Sequence, residues 1–201
     1  PSEGVRGNAL SQPTPANQPV PVAGQGIAET NAQFYGSAMP SGAGVEHVYW
    51  LIAFEFPTNG NTRYLLDSTA ATGLQIGINA SGQVQVNNKN TSNLWNGTLA
   101  AAQPHLFAIK TAAIGTGFRG SIDGATEVAG FGTSGLTGAG TIKLGPVGLS
   151  GSPGKIMVVA RLDPTLSAAD LAVAIGTMAW ATGSQGSLDD GFAYKNNAPI
   201  L

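Results

Sequence analysis

The stretch 155–183, KIMVVARLDPTLSAADLAVAIGTMAWATG, constrains the fold most, because it spells a strand, a stop and a capped helix in succession. Ile156 to Ala160 are apolar and rich in β-branched side chains, which suit a pleated, buried ladder. Asp163-Pro164 ends that strand, since proline has no amide hydrogen to give to a neighbour. Ser167 with Asp170 three residues on resembles a capping box, with Asp in place of the usual Glu or Gln. Leu171, Ile175 and Met178 then recur at helical spacing, and Gly183 can take the left-handed conformation that stops a helix. The predicted helix covers 167–181.

Everything ahead of that ending reads as short strands. In 47–56 (HVYWLIAFEF), Val48, Trp50, Ile52, Phe54 and Phe56 share one face while Tyr49, Leu51 and Ala53 share the other, so this strand should be central and covered on both sides. Glu55, the exception on the second face, suits a strand end or a salt bridge. After 63–67, Leu74, Ile76 and Ile78 alternate with Gln75, Gly77 and Asn79, and Ser81-Gly82 turns the chain into 83–87. That hairpin has one aliphatic face and one uncharged polar ladder. Residues 104–109 give another strand, and 118–122 with 126–129 form a second hairpin about Asp123-Gly124, a dipeptide suited to turns with positive backbone angles. A glycine-rich loop, 130–140, precedes a strand at 141–144. Twenty-nine glycines and only 10% charged residues agree with short strands joined by tight turns.

The ends differ from the middle. Residues 1–26 are rich in proline and poor in large apolar residues and read as an extended arm, 27–183 as the folded domain, and 184–201 as a polar tail. A net charge of −2, with nine Lys and Arg scattered singly, argues against nucleic acid or anionic lipid as partner, because both need a concentrated basic face. The absence of cysteine excludes thiolate metal sites, thiol catalysis and disulfides. No apolar run is long enough to span a bilayer as a helix, so membrane insertion is not expected. Pro1 fits either removal of an initiator Met or a cut from a longer chain.

Five segments, in order, carry a resemblance to concanavalin A-like or laminin G-like domains. GNALSQPTPANQPVPVAG (7–24) is similar to the opening of bacterial and phage members. PHLFAIKT is similar to a strand that usually begins Trp-His, with Pro104 where the Trp would be. GSIDGATEVAG resembles a hairpin with an Ile-Asp-Gly turn, LTGAGTIKLGPV the strand before the closing segment, and LDPTLSAADLAVAI the closing Leu-Ser-x-x-Glu-Leu helix. The resemblance covers about 7–183. It implies an all-β fold, a two-sheet antiparallel jelly-roll sandwich with one short C-terminal helix, of a kind that often binds carbohydrate, sometimes with calcium, and often decorates phage particles or secreted bacterial proteins.

Chemistry in the sequence is sparse. Glycoside hydrolysis needs two carboxylates about the scissile bond, and the Glu-x-Asp-x-x-Glu run of this fold's hydrolases is missing. Glu46, Glu55 and Asp67 have no acidic neighbour two residues away. His47 and His105 are the only imidazoles, and Glu46 beside His47 points to the opposite face of a strand. No Gly-x-Ser-x-Gly elbow precedes a helix, and the glycine pairs read as turns. Catalytic residues are therefore not expected, nor a metal site read from the residues. If calcium enters by the family resemblance, Asp67, Asn79 and Asp123 are the conceivable ligands, although Asp123 is explained by its turn.

The best ligand-binding candidate is 87–98 (NNKNTSNLWNGT), read as a loop. It sets Trp95 among Asn88, Asn90, Asn93 and Asn96, beside the polar ladder of Gln75 and Gln85. A flat ring against the apolar face of a sugar, with amides that donate and accept, is the chemistry of glycan recognition. The plainer alternative is that Leu94 and Trp95 plug the end of the sandwich. In the tail, Phe192, Tyr194, Ile200 and Leu201 are candidate anchors for docking on a partner chain. The expected function is a non-catalytic carbohydrate-binding or attachment module on the surface of a phage or phage-like particle, or of a bacterial cell. Its expected partners are a surface polysaccharide and other particle subunits met through arm and tail, in an oligomer located on a virion or extracellular surface. The alternatives are a purely structural particle subunit and a glycan hydrolase.

Overall fold

A computed structural model describes residues 20–22, 26–29, 35–38, 49–56, 63–68, 75–87, 92–110, 118–131, 141–144, 154–163 and 165–199. These form two antiparallel sheets and one α-helix, the jelly-roll sandwich expected from the sequence. The larger sheet has seven strands in the order β1 (Val20–Val22), β2 (Gly26–Glu29), β13 (Gly154–Leu162), β4 (Tyr49–Glu55), β9 (Pro104–Lys110), β10 (Phe118–Ile122) and β11 (Val128–Phe131). The smaller has six: β3 (Tyr35–Ala38), β12 (Thr141–Leu144), β5 (Arg63–Ser68), β6 (Gln75–Ile78), β7 (Gln83–Asn87) and β8 (Ser92–Thr98). Val20–Val22, inside the stretch read as an arm, pairs with β2 at the edge of the larger sheet.

The two-sided apolar pattern of β4 produces two cores. Trp50, Ile52, Phe54 and Phe56 meet Phe107 and Ile109 of β9 and, from the smaller sheet, Leu66, Ile76, Ile78, Val84 and Val86. This is the layer between the sheets. Bulges adjust it: Leu65 is the extra residue of β5, so Leu65 and Leu66 are both buried, and Met157 is the extra residue of β13. The opposite face of β4 and β9, carrying Leu51, Ala53, Leu106 and Ala108, would be wet if nothing covered it. The helix α1 (Ala168–Thr182) covers it with Ile175, Met178 and Ala179, and Leu171 packs half-buried beside them. Burying Ile175 or Met178 contributes about 1.5–3 kcal/mol each.

The helix boundaries follow from the caps. Ser167 Oγ accepts from the Asp170 amide at 3.1 Å and donates to the Asp170 carboxylate at 2.7 Å, a shortened version of the capping box. Gly183 sits at φ 74°, and the Ser184 amide donates back to the Ala179 carbonyl, closing the Schellman turn. The chain then folds back over the same face. Leu188 is buried, and Ser187 Oγ donates to the Pro104 carbonyl. Lys195 Nζ donates to the Leu188 carbonyl and pairs with Asp190 at 2.7 Å.

That return path engages two of the candidate tail anchors within the domain itself. Phe192 packs on the core under the helix, and Tyr194 lies edge-on to it, 6.1 Å between ring centroids. Both are half-buried in the chain's own domain, because the sheet face beside α1 needs more apolar cover than one helix supplies. Ile200 and Leu201 lie outside the described residues.

Candidate functional site

With α1 and the returning tail roofing the larger sheet, the outer face of the smaller sheet is the one that no described helix or strand covers. The alternation of β5, β6 and β7 dictates what it carries. Leu66, Ile76, Ile78, Val84 and Val86 point into the core, so Tyr64, Asp67, Gln75, Gly77 and Gln85 point the other way, and the registers bring them side by side. Gln75 pairs with Asp67 on one side and with Asn87 on the other, and Gly77 lies between Tyr64 and Gln85. Asp67 is buried beneath this surface and accepts from Gln75 Nε2 at 2.7 Å. That bond orients the Gln75 amide. Tyr64, Gln75 and Gln85 are half-buried.

The turn at the end of this ladder is tied by side chains. Asn79 Oδ1 accepts from the amides of Ser81 and Gln83, and Asn79 Nδ2 donates to Gln83 Oε1, each at 2.9 Å. The hairpin register is thus pinned, and with it the row of Gln83 and Gln85.

The segment 87–98 was expected to be a loop. Asn87 instead ends β7, and 92–98 is strand β8, the outer strand of the smaller sheet. Its low β-propensity is overridden because an edge strand needs a partner on one side only, which β7 supplies. Asn93 stands opposite Val86 and Leu94 opposite Gln85, and the register shifts before Thr98 meets Gln83. Trp95 and Asn96 fall in that shift. The side chains of Asn93, Trp95 and Asn96, and Asn88 and Asn90 entirely, lie outside the described residues. The backbone therefore brings Trp95 to the strand beside Gln85, on the same sheet as Gln75.

The three conceivable calcium ligands are held apart. Asp67 pairs with Gln75 at one end of the β5–β6 ladder, while Asn79 follows Ile78 at the other end, about 13 Å along the strand. Asp123 belongs to the larger sheet. Among the described residues no group of three or more His, Asp or Glu side chains could hold a metal ion. Glu55 forms the salt bridge considered for it, to Lys155 at 3.3 Å.

One constellation was not anticipated. His105, read only as an isolated imidazole, is buried and holds both ring nitrogens against acceptors: Nδ1 at 2.7 Å from Asp123 Oδ2 and Nε2 at 2.8 Å from the Ala100 carbonyl. Burial disfavours its charged form, but the Asp123 hydrogen bond, the Asp123 charge and the Ala100 carbonyl outweigh that and hold the imidazole above its ordinary value. Asp123, at φ 53° in its turn, also accepts from the Leu106 amide through Oδ1 at 2.7 Å, and its carbonyl takes the Asp189 amide. Its partners are distant in sequence, and the only local signal was the Asp-Gly turn. A further cluster, Tyr49–Glu127–Arg119, is closed on itself: burial, then the Glu127 charge and hydrogen bond, push the Tyr49 phenol up, so it stays neutral.

No protein-family model and no curated protein matches the sequence. Solved structures share the fold. The binding domain of botulinum neurotoxin DC in complex with SialylT superposes with a TM-score of 0.57 at 12% identity, over 80% of this chain and 44% of that one. A botulinum neurotoxin type C structure gives 0.57 at 11%, over 80% and 44%. The sialidase of Trypanosoma rangeli in complex with sialic acid gives 0.55 at 13%, over 83% and 29%. The chain spans less than half the length of each, and at these identities the likeness is one of fold.

Proposed function

We propose that this chain is a non-catalytic carbohydrate-binding module displayed on an outer surface, and that the outer face of the smaller sheet takes a surface polysaccharide. The carrying observation is the row of oriented, uncharged amides on that face, with Gln75 fixed by buried Asp67 and Gln85 paired to the strand that contains Trp95. Amides that donate and accept match sugar hydroxyls, and an aromatic ring matches the C–H face of the sugar. Trp95 and Asn96, in the register shift of β8, with Asn88 and Asn90 before it, complete the proposed surface, while Asn93 stands opposite core-facing Val86 and is left out of it. Two of the fold relatives are sugar-linked: the sialidase is in complex with sialic acid, and cell entry of botulinum neurotoxin type C depends on interaction with two ganglioside molecules.

Catalysis is left out of the proposal because the described acids near strong strands are engaged structurally, Glu55 by Lys155 and Asp67 by Gln75. Calcium is left out because its candidate ligands stand apart, so EDTA should leave binding unchanged. The finer setting is a phage or phage-like particle, where the module serves as an attachment or decoration subunit in an oligomer. The similarity of 7–24 to phage members supports it, and Ile200 and Leu201 remain the anchors proposed for a neighbouring subunit.

The test is a glycan array with the wild-type chain and Trp95→Ala, melting both in parallel. Loss of binding with unchanged melting supports the stacking role. A stability loss of about 3–5 kcal/mol would instead mark Trp95 as a core residue. A chain that binds no glycan yet co-purifies with particles is a structural subunit.

A further inference from the structure

The roof over the larger sheet carries an aromatic surface with no role in the fold so far described. Trp180 lies in the last turn of α1 and is 38% exposed, the exposed aromatic among the described residues. Its one polar atom is already satisfied, since the indole N–H donates to the Tyr194 carbonyl at 2.8 Å. The acceptor is itself fixed. The helix backbone at Gly176 runs so close to the returning chain that an added Cβ would stand 2.6 Å from Tyr194 Cβ and 2.9 Å from Pro199 Cγ. Residues 194 and 199 are thus seated against the helix, and Trp180 is tethered to residue 194, where the segment between them begins.

That segment presents Asn196 and Asn197, both exposed, with side-chain amides that have no partner among the described residues. The neighbouring cation is accounted for, because Lys195 Nζ pairs with Asp190 and donates to the Leu188 carbonyl. A tethered indole with accessible ring surface, and two exposed, uncharged amides two and three residues along the chain from its tether, match a neutral sugar ring better than an acidic or a purely apolar ligand. Tethering also removes ordering cost at the moment of binding.

We infer that Trp180, Asn196 and Asn197 form a second saccharide contact, specific for neutral sugar rings, on the helix side of the sandwich. It shares with the proposed function its ligand class and none of its residues. Because the helix roof and the polar face of the smaller sheet lie on opposite sides of the molecule, the two contacts engage different sugar rings, and one module can bridge two polysaccharide chains.

The probes are maltohexaose, cellohexaose, chitohexaose and mannohexaose, titrated against the full chain at up to millimolar concentration by calorimetry and tryptophan fluorescence. At least one should bind, Trp180→Ala and the Asn196→Ala/Asn197→Ala double variant should each weaken it about tenfold or more, and Trp180→Phe, which keeps a ring, should retain most of the affinity. The double variant alters exposed side chains only, so it reads binding even if Trp180→Ala unfolds. Binding of none of the four, or binding unchanged in the double variant and in Trp180→Ala but lost in Trp95→Ala or Gln85→Ala, overturns this site; the second result leaves the smaller-sheet reading standing. Loss in the double variant with Trp95→Ala and Gln85→Ala unaffected has the opposite meaning.

Discussion

Replacing Asp123 by Ala removes two contacts at once, because one carboxylate serves a backbone amide and a buried imidazole, both on β9. His105 is 3% exposed and loses the partner 2.7 Å from its Nδ1, and the Leu106 amide loses an acceptor at 2.7 Å. Breaking a buried charge pair from one side costs about 3–5 kcal/mol, and an orphaned backbone donor about 1–3 kcal/mol. These overlap, since the groups share one site. Ala at φ 53° adds about 1 kcal/mol of backbone strain. A loss of about 5 kcal/mol is expected, comparable with the whole stability of many domains. Asp123→Asn keeps an oxygen for Leu106 and tolerates the turn, so about 2 kcal/mol is expected for it. Urea unfolding followed by far-UV circular dichroism reads both. The pH dependence has a definite sign. With its folded value raised above 6.5, His105 contributes stability that is fully present below pH 6.5 and is lost as pH rises through the folded value. In Asp123→Asn the burial that opposes the imidazolium dominates, so this contribution reverses and stability falls as the solution is acidified below 6.5. A loss under about 1 kcal/mol for Asp123→Ala, or the same pH slope in Asp123→Asn as in wild type, would refute the assignment.

Two glycines separate collision from torsion. Gly120→Ala puts Cβ 2.4 Å from the Ala108 carbonyl oxygen, a backbone atom inside a ladder, and should cost about 3 kcal/mol, whereas Gly183→Ala meets nothing within 4 Å and should cost about 1 kcal/mol for its φ of 74° alone; equal losses on urea unfolding would contradict this. Ser167→Ala should cost about 1 kcal/mol by removing the helix cap, seen as a lower urea midpoint. The amides of Ser184 and Asp189, bonded to the Ala179 and Asp123 carbonyls, should be protected in native-state hydrogen exchange, with Phe192→Ala accelerating both; rapid exchange in the wild type would mean that the tail does not pack.

What could be read in the sequence was local. The hairpin about Ser81-Gly82, the Asp123-Gly124 turn and the Ser167 cap each rest on residues within a few positions of one another, and the apolar faces of β4 announced its central place. Strand β8 was hidden because Ser92, Asn93, Asn96 and Gly97 have loop chemistry, and an edge strand is stabilised by its neighbour more than by its own residues. Phe192 and Tyr194 were legible as apolar anchors, but a sequence does not say whose surface an anchor meets. The His105–Asp123 pair joins residues on two strands through their register. Of the glycan surface, the Gln75/Gln85 row was visible as polar alternation, while the buried Asp67 that orients Gln75 emerged only from the β5–β6 register.

The position of β13 has a consequence for how the chain is made. This last described strand does not add to an edge: it lies between β2 and β4, and Lys155 meets Glu55, 100 positions earlier in the chain. Until β13 leaves the ribosome, β4 has an unpaired flank carrying Trp50, Leu51, Ile52 and Phe54, and β1 and β2 have no sheet to join. The larger sheet therefore closes only after β13 has been synthesised, in a slow, non-local step of the kind that limits β-sandwich folding. During that interval the nascent chain is open to pairing with other copies of itself, so expression yield should depend on translation speed and chaperone supply more than on the stability of the finished fold.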